Sequence, residues 1–298
     1  MDFKLHHFGI ICEDLEKSLA CYRDQLGNQL TSRWYNRGFF DIAFVGNGGE
    51  ATIELVGKPY TDYEQAHIAK HGYSINHISY LVEDADAAFE ELKSQGVQVA
   101  WEPMDMLSLR QCAFLDEDGL LFEVFSHLSP PPLATADLSK PLAPTEMNLH
   151  HISILTPELR RSQKFYHEKL GLKTVYEYTE DDGGFVFLID PSFDHQKNNF
   201  MLEIIGPPHL EEREIEILEK RGACYDHLCY TAEDVEGAWK KAVERGATKM
   251  AEPFEDYGVQ IAWVHDQDGN DVEILNQIPA EIIDIVLQGG EPLNGTQM

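Results

Sequence analysis

Four times along the chain, a short apolar run carrying a histidine gives way to an acidic or Pro-Glu turn and then to apolar positions at helical spacing. The opening runs are Leu5-His6-His7-Phe8-Gly9-Ile10, Ile75-Asn76-His77-Ile78-Ser79-Tyr80, Leu149-His150-His151-Ile152-Ser153-Ile154 and Tyr225-Asp226-His227-Leu228-Cys229-Tyr230. Helical periodicity follows in Leu15, Leu19, Tyr22 and Leu26, in Ala85, Ala88, Phe89 and Leu92, in Leu159, Phe165, Tyr166 and Leu170, and in Val235, Ala238, Trp239, Ala242 and Val243. Each helix runs into a glycine, Gly27, Gly96, Gly171 or Gly246, the residue that most readily ends one. Three segments of strand-like alternation come next, separated by Gly, Asn and Asp turns. The last always sets a glutamate between apolar residues: Ile53-Glu54-Leu55, Phe122-Glu123-Val124, Leu202-Glu203-Ile204 and Val272-Glu273-Ile274. Each unit therefore reads βαβββ.

Corresponding histidines and glutamates of the two chain halves are offset by 144, 149, 150 and 150 residues, so a pair of units has been duplicated with one small insertion near Asp190 to Asn199. The pattern predicts an α+β fold in which four βαβββ units form two curved eight-stranded mixed sheets with helices on the outer face. Ser129 to Pro144, rich in proline and small residues, reads as the linker. The expected organisation is a first domain over 1–128, a linker over 129–146, a second domain over 147–278, and a C-terminal helix and tail over 279–298. Sites are expected between units adjacent in sequence, because the linker falls between the second unit and the third. Tyr60 to Lys70 and Glu211 to Arg221 join the units of each half and look helical. Ile278 to Leu287 resembles a helix with one apolar face, which packs on the protein or on a second copy of the chain as a homodimer.

Composition narrows the partners. A chain of 298 residues with 43% hydrophobic and 25% charged residues can bury a core. Its net charge of −29 repels phosphate backbones and anionic membrane surfaces, which argues against nucleic acid and membrane partners. No apolar run approaches the roughly 20 residues of a membrane span, and the N-terminus lacks the pattern of a secretory signal. The five cysteines, with no Cys-x-x-Cys pair, read as buried free thiols of a reducing, cytoplasmic setting.

The histidines and glutamates carry the candidate chemistry. Neighbouring side chains of a strand point to opposite faces. If the helices cover the apolar face, Glu54 and its counterparts project from the other one. One glutamate so placed is usually a solvated charge, and one histidine is more often structural than a ligand. Eight such residues at corresponding places favour two metal sites, His7, Glu54, His77 and Glu123 in the first half and His151, Glu203, His227 and Glu273 in the second. Two imidazoles and two carboxylates suit nickel, cobalt, zinc, manganese or iron(II) and leave two octahedral positions for vicinal oxygens of a small-molecule substrate. By alternation His6 and His150 face away from these sites and are structural. Arg33, Arg37 and Arg110 hold either an anionic substrate group or surface salt bridges, and Tyr35, Tyr176 and Tyr178 either line the cup or are ordinary strand aromatics.

From Lys4 to about Gln277 the chain resembles the vicinal oxygen chelate superfamily of glyoxalases, bleomycin-resistance proteins and extradiol dioxygenases. The resemblance is carried by His7-Phe8-Gly9-Ile10 with Asp14-Leu15-Glu16-Lys17-Ser18-Leu19 and Tyr22, by Asp116-Glu117-Asp118-Gly119 before Glu123, and by Asp266-Gln267-Asp268-Gly269-Asn270-Asp271-Val272-Glu273-Ile274. It implies a metal-dependent lyase, isomerase or epimerase working through a stabilised enediolate. By similarity to glyoxalase I, Glu123 and Glu273 would also act as catalytic bases. An iron(II) extradiol dioxygenase is the alternative, disfavoured by the fourth ligand. A metal-free drug-binding resistance protein fits less well, since it has no need of eight ligand positions.

Overall fold

The computed structural model describes residues 2–36, 40–46, 52–106, 109–128, 147–180, 183–193, 200–207, 210–256, 259–276 and 293–294. The proposed linker and the C-terminal helix expected over 278–287 lie outside these residues, as does Arg37.

The first unit runs β1 (Lys4–Ile11), α1 (Leu15–Ala20) continued by a π-helical turn (Cys21–Gln25), β2 (Gln29–Asn36), β3 (Phe40–Gly46) and β4 (Thr52–Gly57). A connecting helix α2 (Asp62–His71) leads to the second, made of β5 (Ile75–Leu81), α3 (Ala85–Ser94), β6 (Gln98–Met106), β7 (Leu109–Leu115) and β8 (Leu121–His127). The second half repeats the plan with β9 (Asn148–Leu155), α4 (Leu159–Leu170), β10 (Lys173–Glu180), β11 (Gly183–Ile189) and β12 (Met201–Gly206), then α5 (Glu212–Arg221). It closes with β13 (Cys224–Thr231), α6 (Val235–Glu244), β14 (Thr248–Asp256), β15 (Val259–His265), β16 (Asp271–Leu275) and a two-residue β17 (Leu293–Asn294).

Units adjacent in sequence share a sheet. The first sheet has the order β2-β3-β4-β1-β5-β8-β7-β6, and the second has β14-β15-β16-β13-β9-β12-β11-β10 with β17 added at the β10 edge. Both are mixed, with β1 and β5 antiparallel at the centre of one and β9 and β13 at the centre of the other. Neither sheet closes on itself, so each remains a curved cup. Three of the four unit helices are capped by an aspartate accepting from a backbone N–H, Asp14 from Lys17, Asp84 from Ala87 and Asp234 from Gly237. Losing such a cap costs about 1 kcal/mol.

Alternation sorts the strands as expected. Ile53 and Leu55 of β4, and Phe122 and Val124 of β8, enter the core, and Glu54 and Glu123 face the cup. The core is shared, because buried side chains from both sheets and all four unit helices form one cluster running from Phe3 to Ile274. Two equivalent latches reinforce it. In the Asp116-Glu117-Asp118-Gly119 turn, one oxygen of Asp116 accepts from the Asp118 and Leu120 amides and the other from Tyr166 Oη of α4 at 2.9 Å. In the matching turn Asp266 accepts from the Asp268 and Asn270 amides and from Tyr22 Oη at 2.8 Å. Asp118 and Asp268 likewise accept from Ser162 Oγ at 2.5 Å and Ser18 Oγ at 2.6 Å. The glycine closing each turn has positive φ, 83° at Gly119 and 89° at Gly269, a conformation that other residues adopt only with strain.

Candidate metal centres

The central strands β1 and β5 supply the histidines of the first half, and their outer neighbours β4 and β8 supply the glutamates. Glu54 Oε2 lies 3.5 Å from His7 Nε2 and 3.1 Å from His77 Nε2, and Glu123 Oε2 lies 3.7 Å from His77 Nε2. In the second half His151 Nε2 and His227 Nε2 are 3.1 Å apart. Glu203 Oε2 approaches them at 3.4 and 3.3 Å, and Glu273 Oε2 at 3.3 and 3.7 Å. The structure thus brings each quartet together at the floor of its own cup.

Burial disfavours charge on His77, but Glu123 and then Glu54 outweigh it and raise its pKa to about 9. Burial likewise works against His227, where Asp226 and then Glu203 raise the pKa to about 10. Burial would lift Glu54 and Glu203, yet the two histidines facing each hold them well below the usual carboxylate range. These clusters gather protons and negative charge as sites prepared for a cation do. His77 Nε2 and Glu203 Oε2 are buried without any partner in hydrogen-bond geometry. Unsatisfied buried polar atoms are rare, and here they sit where a ligand atom would point, so the donor set fits a divalent ion.

One part of the sites departs from simple alternation. His6 and His150 do not face away. In the β1–β5 ladder Leu5 pairs with Tyr80 and His7 with Ser79, so His6 is an extra residue, and His150 is extra in the same way between Leu149 and His151. Such a bulge re-aims side chains. It turns His6 Nδ1 to within 2.9 Å of His7 Nδ1, and His150 Nδ1 to within 2.7 Å of His151 Nδ1. Corresponding irregularities fall at Asn76 and at Asp226-His227. There Asn76 Oδ1 is 3.1 Å from His77 Nδ1, and Asp226 Oδ2 is 3.0 Å from His227 Nδ1. Every candidate ligand histidine is therefore gripped at Nδ1 by the residue before it, leaving Nε2 for the centre. The signal was present in the sequence as a polar residue before each histidine, at a position alternation would assign to the apolar core.

Gly9 completes the first centre. It pairs with His77 across the sheet, and a Cβ at Gly9 would fall 2.0 Å from His77 Cε1. The ring occupies the space that glycine leaves open.

The first centre opens onto a cavity of about 630 Å³. Trp34, Phe44, Trp101, Met104, Met106 and Phe125 form much of its wall. Tyr63 and Glu64 enter from α2, so this connecting helix contributes to the site. Glu64 is engaged in a capping box with Thr61. Tyr63 is pushed up to about 12 by burial and then by Glu123, and so keeps its proton. Tyr35, a candidate lining residue, is instead 62% exposed, because a bulge between Leu30 and Ser32 lets Trp34 take the inward place. Tyr176 and Tyr178 stack on Phe185 in the second half. Arg33 binds Asp41 and Glu16, and Arg110 binds Asp86 and Asp105, so both serve as salt-bridge residues. Among the described residues lining the cavity there is no lysine or arginine.

All five cysteines are buried free thiols, as their distribution suggested. Among the described residues no helix is long and apolar enough to cross a membrane.

Known proteins extend this picture. The sequence profile of the Glyoxalase/Bleomycin resistance protein/Dioxygenase superfamily matches residues 4–124 and 148–274. A protein named lactoylglutathione lyase from Schizosaccharomyces pombe is 23% identical over 304 aligned positions, spanning 92% of this chain and 97% of that one. A mutant of 4-hydroxymandelate synthase from Streptomyces coelicolor superposes with a TM-score of 0.70 at 12% identity, covering 99% of this chain and 96% of that one. The Mn(II)-bound glyoxalase from Novosphingobium aromaticivorans does so with a TM-score of 0.61 at 17% identity, covering 99% and 93%. Both solved structures share the fold.

Proposed function

The chain belongs to the Glyoxalase/Bleomycin resistance protein/Dioxygenase superfamily, and on that premise we propose that it is a divalent-metal-dependent, glyoxalase-like lyase, isomerase or epimerase. Its substrate is a small molecule with two vicinal oxygens. The observation that carries this reading is the convergence of two imidazoles and two carboxylates on the floor of a 630 Å³ cavity. His7, Glu54, His77 and Glu123 would hold one ion, and His151, Glu203, His227 and Glu273 a second. The donor set suits nickel, cobalt, zinc, manganese or iron(II). When bound, the ion supplies Lewis acidity to the neighbouring substrate oxygens.

The remaining work falls to the chain's own side chains. Glu123 has the most exposed carboxylate of the first quartet, at 16%, and takes the proton from the C–H beside the substrate carbonyl. The same carboxyl returns that proton to the adjacent carbon, so no oxidant or reductant is consumed. Ser79 Oγ donates to Glu123 Oε2 at 3.2 Å and fixes the carboxylate. Tyr63 presents a protonated phenol to a substrate oxygen, and the aromatic wall excludes water. Glu273 holds the matching place in the second half. Three carboxylates, Glu54, Glu64 and Glu123, face the cavity, and among its described lining residues no lysine or arginine stands ready to hold an anionic group, which favours substrates whose remaining part is uncharged and apolar.

The test is to reconstitute the protein with each metal and offer hemithioacetals, acyl-CoA epimers and catechols while following oxygen. Proton exchange beside a carbonyl without oxygen uptake is the expected result. A second reading, the iron(II) extradiol dioxygenase, draws on one observation: the donor atoms of His7, His77 and Glu123 lie within 4.8 Å of one another, a two-histidine, one-carboxylate set suited to ferrous iron. Iron-dependent oxygen uptake with a catechol would decide for it. Protein that neither holds nor recovers metal would return the assignment to a metal-free binding protein.

A further inference from the structure

The two centres differ in what stands behind their histidines. Behind His227, Asp226 Oδ2 accepts from Nδ1 at 3.0 Å, and Arg213 of α5 reaches Asp226 Oδ1 at 3.3 Å. The same guanidinium pairs with Asp271, whose other oxygen meets His265 Nδ1 at 2.9 Å. Asp226 and Asp271 are buried, with side chains 3% and 7% exposed. Among the described residues the first half has none of this network. At the same offset of 150 residues that relates the helices α2 and α5, Tyr63 stands for Arg213, Asn76 for Asp226, Leu121 for Asp271 and Leu115 for His265. Among the described residues the partner of His77 Nδ1 is the neutral amide of Asn76, and the Tyr63 side chain turns into the cavity.

A carboxylate that accepts from the far nitrogen of a ligand imidazole makes the ring a stronger donor and fixes its orientation, and removing such a partner typically costs about 10- to 100-fold in metal affinity. An amide oxygen does this less, because it carries no full charge. Burying Asp226 and Asp271 side by side is tolerable only with a counter-charge between them, which Arg213 provides. The four exchanges therefore work as a set: an ionic frame behind one centre, and a neutral frame behind the other.

We infer that the centres differ in how firmly they hold their ions. The second, framed by Arg213, Asp226, Asp271 and His265, retains its ion, and the first, framed by Asn76 and Tyr63, exchanges its ion. Asp226 and Arg213 are positioning residues in this scheme. The inference rests on the reading that both quartets hold metal.

The experiment loads the full-length protein with Mn²⁺ or Co²⁺ and titrates it with a chelator, following ion content by elemental analysis and the Co²⁺ absorption band. His7→Ala and His151→Ala variants identify which ion is which. Two phases are expected, with the second-half ion held about 10- to 100-fold more tightly. Asp226→Asn should merge the phases by loosening the second-half ion and should shift the Co²⁺ band of that centre alone, and Asp226→Glu should restore part of the difference. Asn76→Asp provides the reciprocal arm, since it should tighten the first-half ion whether or not the Asp226 variants fold well. Loss of both ions in one phase, or an unchanged second phase in a folded Asp226→Asn protein, would overturn the inference and leave the metal-dependent reading intact. Absence of ions from both centres would overturn both.

Discussion

His150 Nδ1 and His151 Nδ1 lie 2.7 Å apart, and His6 stands in the same relation to His7 at 2.9 Å. Two ring nitrogens at that separation share one proton, so one ring donates and the other accepts. Burial, and then the neighbouring histidine, holds His6 and His150 well below the usual imidazole pKa, so both are neutral. The pair fixes the tautomer and tilt of His7 and His151. His150→Phe should keep the fold and lower affinity for the second-half ion by about 10- to 100-fold, measured by competition with a fluorescent chelator. Unchanged affinity in a folded variant would show that the bulge histidine only fills space.

Gly9→Ala tests the close approach in the first centre. The new methyl would overlap the His77 ring, and either the ring leaves its place or the central β1–β5 pair moves apart. Overpacking of this kind costs about 1–3 kcal/mol. The expected protein folds with a lowered Tm and carries one ion fewer, and the ion of the second half remains. Normal ion content with an unchanged Tm would mean that the strands yield at no cost.

The pH response follows from the same quartets. His77 and His227 titrate at about 9 and 10 in the metal-free fold, above the ordinary value of 6.5. Groups whose pKa is raised by folding stabilise the fold fully below 6.5, and that contribution is lost as pH rises through 9 and 10. Glu54 and Glu203 are shifted down from 4.5, so their contribution is present above 4.5 and is lost as acid is added below it. The metal-free protein should therefore be most stable from about pH 5 to 6.5 as far as these four groups decide. Metal must displace the histidine protons, so affinity should rise with pH from 6.5 towards 9. Denaturant melts of stripped protein, and Mn²⁺ titrations across this range, would show the two trends opposed. Parallel trends would mean that the ion does not compete with these protons.

Much of this architecture is written in local patterns. The fourfold βαβββ repeat rests on periodicities of 2.0 and 3.6, and the eight convergent residues rest on each glutamate lying between two core positions, as Glu54 lies between Ile53 and Leu55. What alternation could not deliver is the consequence of one inserted residue. The bulges at His6 and His150 reverse the expected facing of those histidines, and the one near Ser32 gives Trp34 the place expected of Tyr35. Distant partnerships were also illegible. Nothing near Arg33 or Arg110 in sequence decides between a substrate anion and the carboxylates of Asp41 and Asp86, and nothing local announces that α5 carries Arg213 to Asp226 and Asp271. The Asp-x-Asp-Gly motifs were visible as family features, but their latching role requires the helix of the other half.

Those latches lead to the last prediction, that the two halves unfold together. Tyr166 is fully buried and donates to Asp116 from across the interface, as Tyr22 does to Asp266. Around them Phe122 packs on Phe165 at 6.0 Å between ring centroids and Phe8 on Phe200 at 5.7 Å, so unfolding either half would strip the other's core. Tyr166→Phe keeps the ring and removes only the hydroxyl, leaving a buried carboxyl short of one donor at a cost of about 1–3 kcal/mol. For a chain of this size each kcal/mol lowers Tm by roughly 2–4 °C. Calorimetry of the metal-free protein should show one transition, and Tyr166→Phe should move the whole of it, including the part that reports the β1–β8 sheet. Two resolved transitions in the wild type, or a shift confined to one of them in the variant, would mean that each half stands on its own core and that the latch merely orients them.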